Sequence, residues 1–145
     1  MSATPDLIRR VEAATATVRR YKGKRFDFKA ARTCVHMARF HLAAMGHKVP
    51  PMPKVNSLVS ARRALDSRGW SDCAAMIDSL GFERIAPAQM LAGDLAFRAS
   101  EDGLGGLLVA LGPFKVFGWF GNEETEGRAV VMDMDCSQLE ACWRV

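Results

Sequence analysis

Cys34 is the residue best placed to do chemistry in this chain of 145 residues. A thiol acts as a nucleophile only as the thiolate. A helix N-terminus and nearby cations lower the pH at which that thiolate forms. The sequence places Cys34 within the first turn or so of a helix, with Lys29 and Arg32 close by. Hydrolysis needs more: an imidazole within about 3 Å to carry the proton, and a third polar group to orient it. The chain has three histidines, His36, His41 and His47, all on or just after the helix of Cys34. His41 points the same way as Cys34 but lies about 10 Å along the axis, and His36 is about 200° around it. Neither reaches the thiol from that helix. His47 falls in a loop, and no histidine follows it.

Other reactive patterns are weaker. Cys73, Cys136 and Cys142 form no C-x-x-C pair, so they read as small buried apolar residues rather than zinc ligands. The stretch Gly103-Leu104-Gly105-Gly106 lacks the Lys-Ser/Thr of a phosphate loop. Asp133 and Asp135 alternate on one strand face with no third oxygen ligand evident, which fits a solvated edge. No metal and no cofactor is expected. Phe114, Phe117, Trp119 and Phe120 form a dense aromatic stretch; half belong to a strand core, and Trp119 is a candidate contact residue.

These residues must be carried by an α+β chain. Thr4-Pro5-Asp6 is a helix start, followed by Leu7, Ile8, Val11, Ala14, Val18 and Tyr21 at helical spacing, with Gly23 as the stop. A second helix is expected from about Ala30 to Met45, closed by Gly46, and His47 to Pro53 must be a loop. Asn56 or Ser57 caps a third helix to Arg68, and Ser71 caps a fourth that ends at Gly81. Strands are expected at Leu95 to Ala99, Leu104 to Leu111, Lys115 to Phe120 and Arg128 to Met134. Turns at Asp102-Gly103, Gly112-Pro113 and Asn122 to Gly127 separate them, which suits an antiparallel meander or small barrel. A helical turn is expected over Ser137 to Ala141.

Charge is uneven. The first 32 residues hold nine basic and three acidic groups, so they carry six positive charges and the rest is negative by two, against a net +4. Residues 1–25 read as a basic amphipathic helix. Its Arg9, Arg10, Arg19 and Arg20 are candidate contacts for a protein partner. Without interleaved aromatics or a nucleic-acid motif, no nucleic-acid binding is expected. No apolar run reaches the roughly 18–20 residues of a membrane span, and no signal peptide is read at the N-terminus. The expected site of synthesis is the cytoplasm.

A cysteine at a helix start, then helices, then a Gly-Asp-initiated antiparallel sheet resembles the NlpC-type papain-like cysteine peptidases. More narrowly, the chain resembles a family of short papain-like proteins encoded among the tail genes of phages and prophages. The resemblance rests on Phe28, Thr33-Cys34, Gly46, Gly93-Asp94, Leu111-Gly112 and Trp143-Arg144-Val145, in that order, and covers residues 26–145. It implies a papain-like (NlpC-type) domain with N-terminal helices before a small antiparallel sheet or barrel. It implies Cys34 as the nucleophile position and Gly106 in the slot where the enzymes keep their histidine. Thr33 stands where an aspartate usually precedes the cysteine. The expectation is a non-catalytic component of a phage tail tip or baseplate, located in the virion. It would bind tail-hub, distal-tail or tape-measure proteins within a symmetric assembly, with Cys34 vestigial. The alternative is an active peptidase or amidase that cleaves peptidoglycan during phage entry through Cys34.

Overall fold

The computed structural model describes residues 6–51, 54–121 and 125–145. Thr4 and Pro5, and parts of the expected loop to Pro53 and turn from Asn122, lie outside the described residues. Helix α1 spans Leu7–Tyr21 and is capped by Asp6, whose carboxylate accepts the Arg9 N–H at 3.2 Å. Its inward face is not the expected one. Arg10, Ala13, Ala14, Thr17 and Tyr21 are buried, while Leu7, Ile8 and Val11 are exposed. Both sets recur at helical spacing and overlap at Ala14 and Tyr21. The set with small residues wins because it lets α1 lie close against its neighbour, and because Arg10 finds a buried carboxylate.

Helix α2 spans Cys34–Ala44 and starts four residues later than expected. Asp27 and Arg32 exchange backbone hydrogen bonds across a tight turn (2.8 and 2.9 Å) in which Ala31 has φ 58°. That turn is incompatible with a helix from Ala30, so Thr33 becomes the cap and Cys34 the first helical residue. Helix α3, Leu58–Asp66, is capped by Ser57, and α4, Cys73–Asp78, by Asp72 rather than Ser71.

Among the described residues six strands form one open antiparallel sheet: β1 Glu83–Ile85, β2 Leu95–Arg98, β3 Gly106–Gly112, β4 Lys115–Gly118, β5 Val130–Asp133 and β6 Ala141–Arg144, ordered β1-β6-β2-β3-β4-β5. The meander β2 to β5 follows the expected turns. β1 and β6 were not expected. The helical turn near residue 137 shrinks to a 3-10 turn at Cys136–Gln138, and the chain then enters the sheet between β1 and β2.

Strand alternation divides the interior in two. Leu95, Phe97, Leu107, Val109, Phe117 and Trp143 face the helices, against Met37, Leu42, Leu65 and Ile77. Ala96, Leu108, Ala110, Val116 and Cys142 face the other way, under Met90, Met134 and Leu139. The Gly93-Asp94 pair locks the helical layer to the sheet. Gly93 has φ 93°, and a Cβ there would stand 3.2 Å from Arg10 and 3.3 Å from Met45, so the close approach requires glycine. Asp94 is fully buried. It accepts hydrogen bonds from the Arg10 guanidinium, from Arg144 Nε (2.9 Å) and from the backbone N–H groups of Leu91 (2.9 Å) and Val145 (3.3 Å). α1 is therefore built into the domain.

Candidate functional site

Cys34 lines a groove of about 1060 Å³. Leu58, Ala61 and Leu65 of α3 line it with Trp70, as do Gly105, Gly106 and Leu108. Phe28 and Trp119 also line it, and Arg98, Glu101 and Asp102 supply its charged groups. The turn over residues 100–105 is tied down from within. Ser100 Oγ donates to Asp102, and Asp102 and Ser100 accept the N–H groups of Leu104 (2.9 Å) and Gly105 (3.0 Å). Gly105 has φ 77°, and a Cβ on it would sit 2.1 Å from the Phe97 ring, so this rim cannot carry a side chain. Burial alone would hold the Asp102 carboxyl up. The hydrogen bonds from Ser100 and the two backbone N–H groups, with Arg62 nearby, outweigh it and pull the carboxyl below its usual range.

Cys34 is half-buried. It packs against the core cluster that contains Cys73 and Leu107. The Cys73 side chain is the largest reason that the Cys34 thiol ionises below the ordinary thiol range, against burial and the Asp102 charge. Cys73 is pushed up, first by Cys34 and then by burial.

None of the groove-lining residues is a histidine. His36 turns back on its own cap: Thr33 Oγ1 accepts the His36 backbone N–H and shares a hydrogen bond with Nδ1 at 2.7 Å. Burial and then the Arg39 charge lower its pKa. His47 packs edge-on against Phe82, with ring centroids 4.8 Å apart. His41 is fully buried between α1 and the sheet. Its Nε2 donates to the Gly93 carbonyl at 2.7 Å, which leaves Nδ1 to accept from Thr17 Oγ1 at 2.9 Å.

That neutral imidazole makes stability depend on pH. Burial is the main cause that lowers the pKa of His41 in the folded chain, whereas an unfolded histidine titrates near about 6.5. Below that pH the unfolded chain takes up a proton that the folded chain refuses, so stability falls as pH falls. The expected melting temperature is level above about pH 6.5 and declines below it. His41→Gln should flatten the decline, with a remainder from His36 and His47, which are lowered in the same sense. An unchanged pH slope in that variant would remove His41 as the source.

The expected base position, Gly106, shares the groove with Cys34. Gly106 lines the groove and has room for a side chain, since a Cβ there would meet only the Arg98 carbonyl, 3.9 Å away. On β3, Leu107 and Val109 belong to the core cluster against which Cys34 packs, and Gly106 and Leu108 line the groove beside it.

The expected partner-contact residues do not form one surface. Arg10 is buried in the Asp94 cluster, where its guanidinium also donates to the carbonyls of Ala92 (2.8 Å) and Val145 (2.8 Å). It is thus turned away from any partner. Arg9 is exposed and its guanidinium reaches the Met45 carbonyl. Arg19 is exposed. Arg20 lies over the rings of Tyr21 (5.7 Å) and Phe40 (4.8 Å). Trp119 is half-buried; its indole N–H bonds the Lys24 carbonyl at 3.0 Å, and its ring meets Tyr21 and Phe26 edge-on. It pins the segment after α1 to β4, and with Cys34 it borders the groove.

Cys73 is the site residue that the sequence reading passed over as apolar packing. A signal was available: Thr33-Cys34 and Asp72-Cys73 repeat the same pattern, a capping residue followed by cysteine. Among the described residues, no group of three potential ligands is placed to hold a metal ion. No helix among them is long and apolar enough to cross a membrane.

No curated protein matches the chain. A family described as a domain of unknown function (DUF6950) matches residues 7–145, from the first residue of α1 through β6. The chain therefore belongs to the DUF6950 family.

Proposed function

We propose that the chain is a non-catalytic papain-like module that takes a segment of a protein partner into the Cys34 groove, as a structural component of a phage tail tip or baseplate. One observation carries this reading: a cysteine at a helix start opens into a substrate-sized groove that no histidine lines. Amide cleavage needs a proton delivered to the departing amine as well as a nucleophile. Asp102, held in its ionised form, is a poor source of that proton. The groove lining is mainly apolar with a few charged groups, the composition of a binding cleft, and the volume is at the top of the usual range of roughly 300–1,000 Å³. The order of Phe28, Thr33-Cys34, Gly93-Asp94 and Trp143-Arg144-Val145 supports the papain-like and phage-tail parts of the reading.

The lowered pKa of Cys34 favours a second reading, a peptidase or amidase acting on peptidoglycan peptides. One experiment separates the two. The purified chain, Cys34→Ala and Leu58→Glu are each incubated with peptidoglycan and, separately, co-expressed with tail-hub, distal-tail and tape-measure proteins. Leu58 lines the groove and is 44 % exposed, so a charge there changes the cleft while sparing the core. The expected outcome is no peptide release and a co-purifying tail protein that is lost with Leu58→Glu but kept with Cys34→Ala. Peptide release that needs Cys34 would sink the non-catalytic reading.

A further inference from the structure

Two thiols share the groove. Cys34 and Cys73 each follow a capping residue, and both line the same cavity. The start of β3 lies against both: the Cys73 N–H bonds the Leu104 carbonyl at 2.9 Å, and Leu107 belongs to the core cluster against which Cys34 packs. Both residues pack in the same core cluster, Cys73 within it and Cys34 against it. Two thiols that share one cavity and one cluster are placed as an attacking and a resolving thiol would be. The other two cysteines lie elsewhere. Cys142 belongs to the core on the far face of the sheet, and burial pushes its thiol up to about 12. Cys136 follows Asp135 in the 3-10 turn before β6.

We propose that Cys34 and Cys73 form a redox-active dithiol, in which a hydroperoxide oxidises Cys34 and Cys73 resolves the product to an intramolecular disulfide. In the first step the Cys34 thiolate attacks the terminal peroxide oxygen. An S–O bond forms, the O–O bond breaks, and the released oxygen leaves as water or alcohol after taking one proton. In the second, the Cys73 sulfur attacks the Cys34 sulfenic sulfur. An S–S bond forms, the S–O bond breaks, and the hydroxide leaves as water with the Cys73 proton. Two thiols are oxidised and one peroxide is reduced. The reaction requires no protein partner and does not depend on the reading of the groove given above.

The test uses the reduced full chain, hydrogen peroxide and no other protein or glycan. Free thiols are counted, and a non-reducing digest is mapped by mass spectrometry. The expected result is loss of two of the four thiols, reversal by dithiothreitol, and a single cross-linked peptide pair joining Cys34 to Cys73. Cys73→Ser should instead accumulate a Cys34 sulfenic acid that a cyclic 1,3-dione traps. Oxidation of the wild-type chain without the Cys34–Cys73 cross-link, or a cross-link that joins Cys136 to Cys142 in its place, would overturn the proposal. Both results are read on the unmutated chain, so neither depends on a variant that folds.

Discussion

Asp94→Ala is expected to destabilise the fold by about 3–5 kcal/mol, the usual cost of removing one member of a buried ion pair. Against a typical total of about 5–15 kcal/mol, that is a third or more of the stability of many domains of this kind. Two effects combine. The Arg10 guanidinium stays buried with only the Ala92 and Val145 carbonyls to meet it. The Leu91 and Val145 N–H groups and Arg144 lose their acceptor as well. For a chain of this length the melting midpoint should fall by roughly 6–20 °C. Asp94→Asn keeps acceptor oxygen but no charge, and should lie between. The double variant Arg10→Met, Asp94→Ala should recover part of the loss, because no charge then remains buried unpaired. Circular dichroism melts of the four proteins decide the matter. A midpoint for Asp94→Ala within a few degrees of wild type would mean that the cluster contributes nothing net.

Trp143→Ala should be comparably severe, about 3–5 kcal/mol. The Trp143 side chain is fully buried on the helical face of β6, paired across the sheet with Leu95 and Arg84. Its indole N–H donates to Asp78 at 2.8 Å, and Arg84 lies over its ring at 5.3 Å. Truncation leaves a cavity that the rigid strand pairing on both sides prevents from closing. Trp143→Phe keeps most of the volume and loses mainly the hydrogen bond, a cost of about 1 kcal/mol. The denaturant midpoint should therefore move far more for Ala than for Phe with the m-value unchanged. Equal shifts would assign the effect to the hydrogen bond instead of the packing.

Much of the scaffold was readable in the residues, and the failures share a cause. The meander β2 to β5 followed from local signals, the turns at Asp102-Gly103 and Gly112-Pro113 between apolar runs. β1 is three residues long, and its partner β6 lies about sixty residues away in sequence, so neither has a local signature. The rotation of α1 is of the same kind. Leu7, Ile8 and Val11 satisfied the helical period, and nothing near Arg10 announces Asp94, 84 residues on. The late start of α2 depends on the Asp27–Arg32 turn, which the helix-favouring alanines at 30 and 31 conceal.

The site divides along the same line. Cys34 at a helix start and the absence of a reachable histidine were local deductions. The helix geometry already excluded His36 and His41, and the hydrogen bonds show where both are committed. That Gly106 and Cys34 line one groove depends on how the helices cover the sheet, a property of the whole fold. The Cys34–Cys73 contact depends on how α4 meets the start of β3, through the Cys73–Leu104 hydrogen bond.

The Arg10–Asp94–Val145 cluster also bears on the order of folding. It joins residues 135 apart in sequence, and β6 pairs with β1 across a loop of about sixty residues. Closing such a loop costs entropy before any contact offsets it. The hairpins of β2 to β5 close short loops and can assemble early. The half of the sheet made of β1 and β6, with α1 bolted to it through Arg10, is the part whose formation must wait. Until then the partly folded chain leaves the inner edge of β2 unpaired, and that edge is where association with another extended segment would compete with folding.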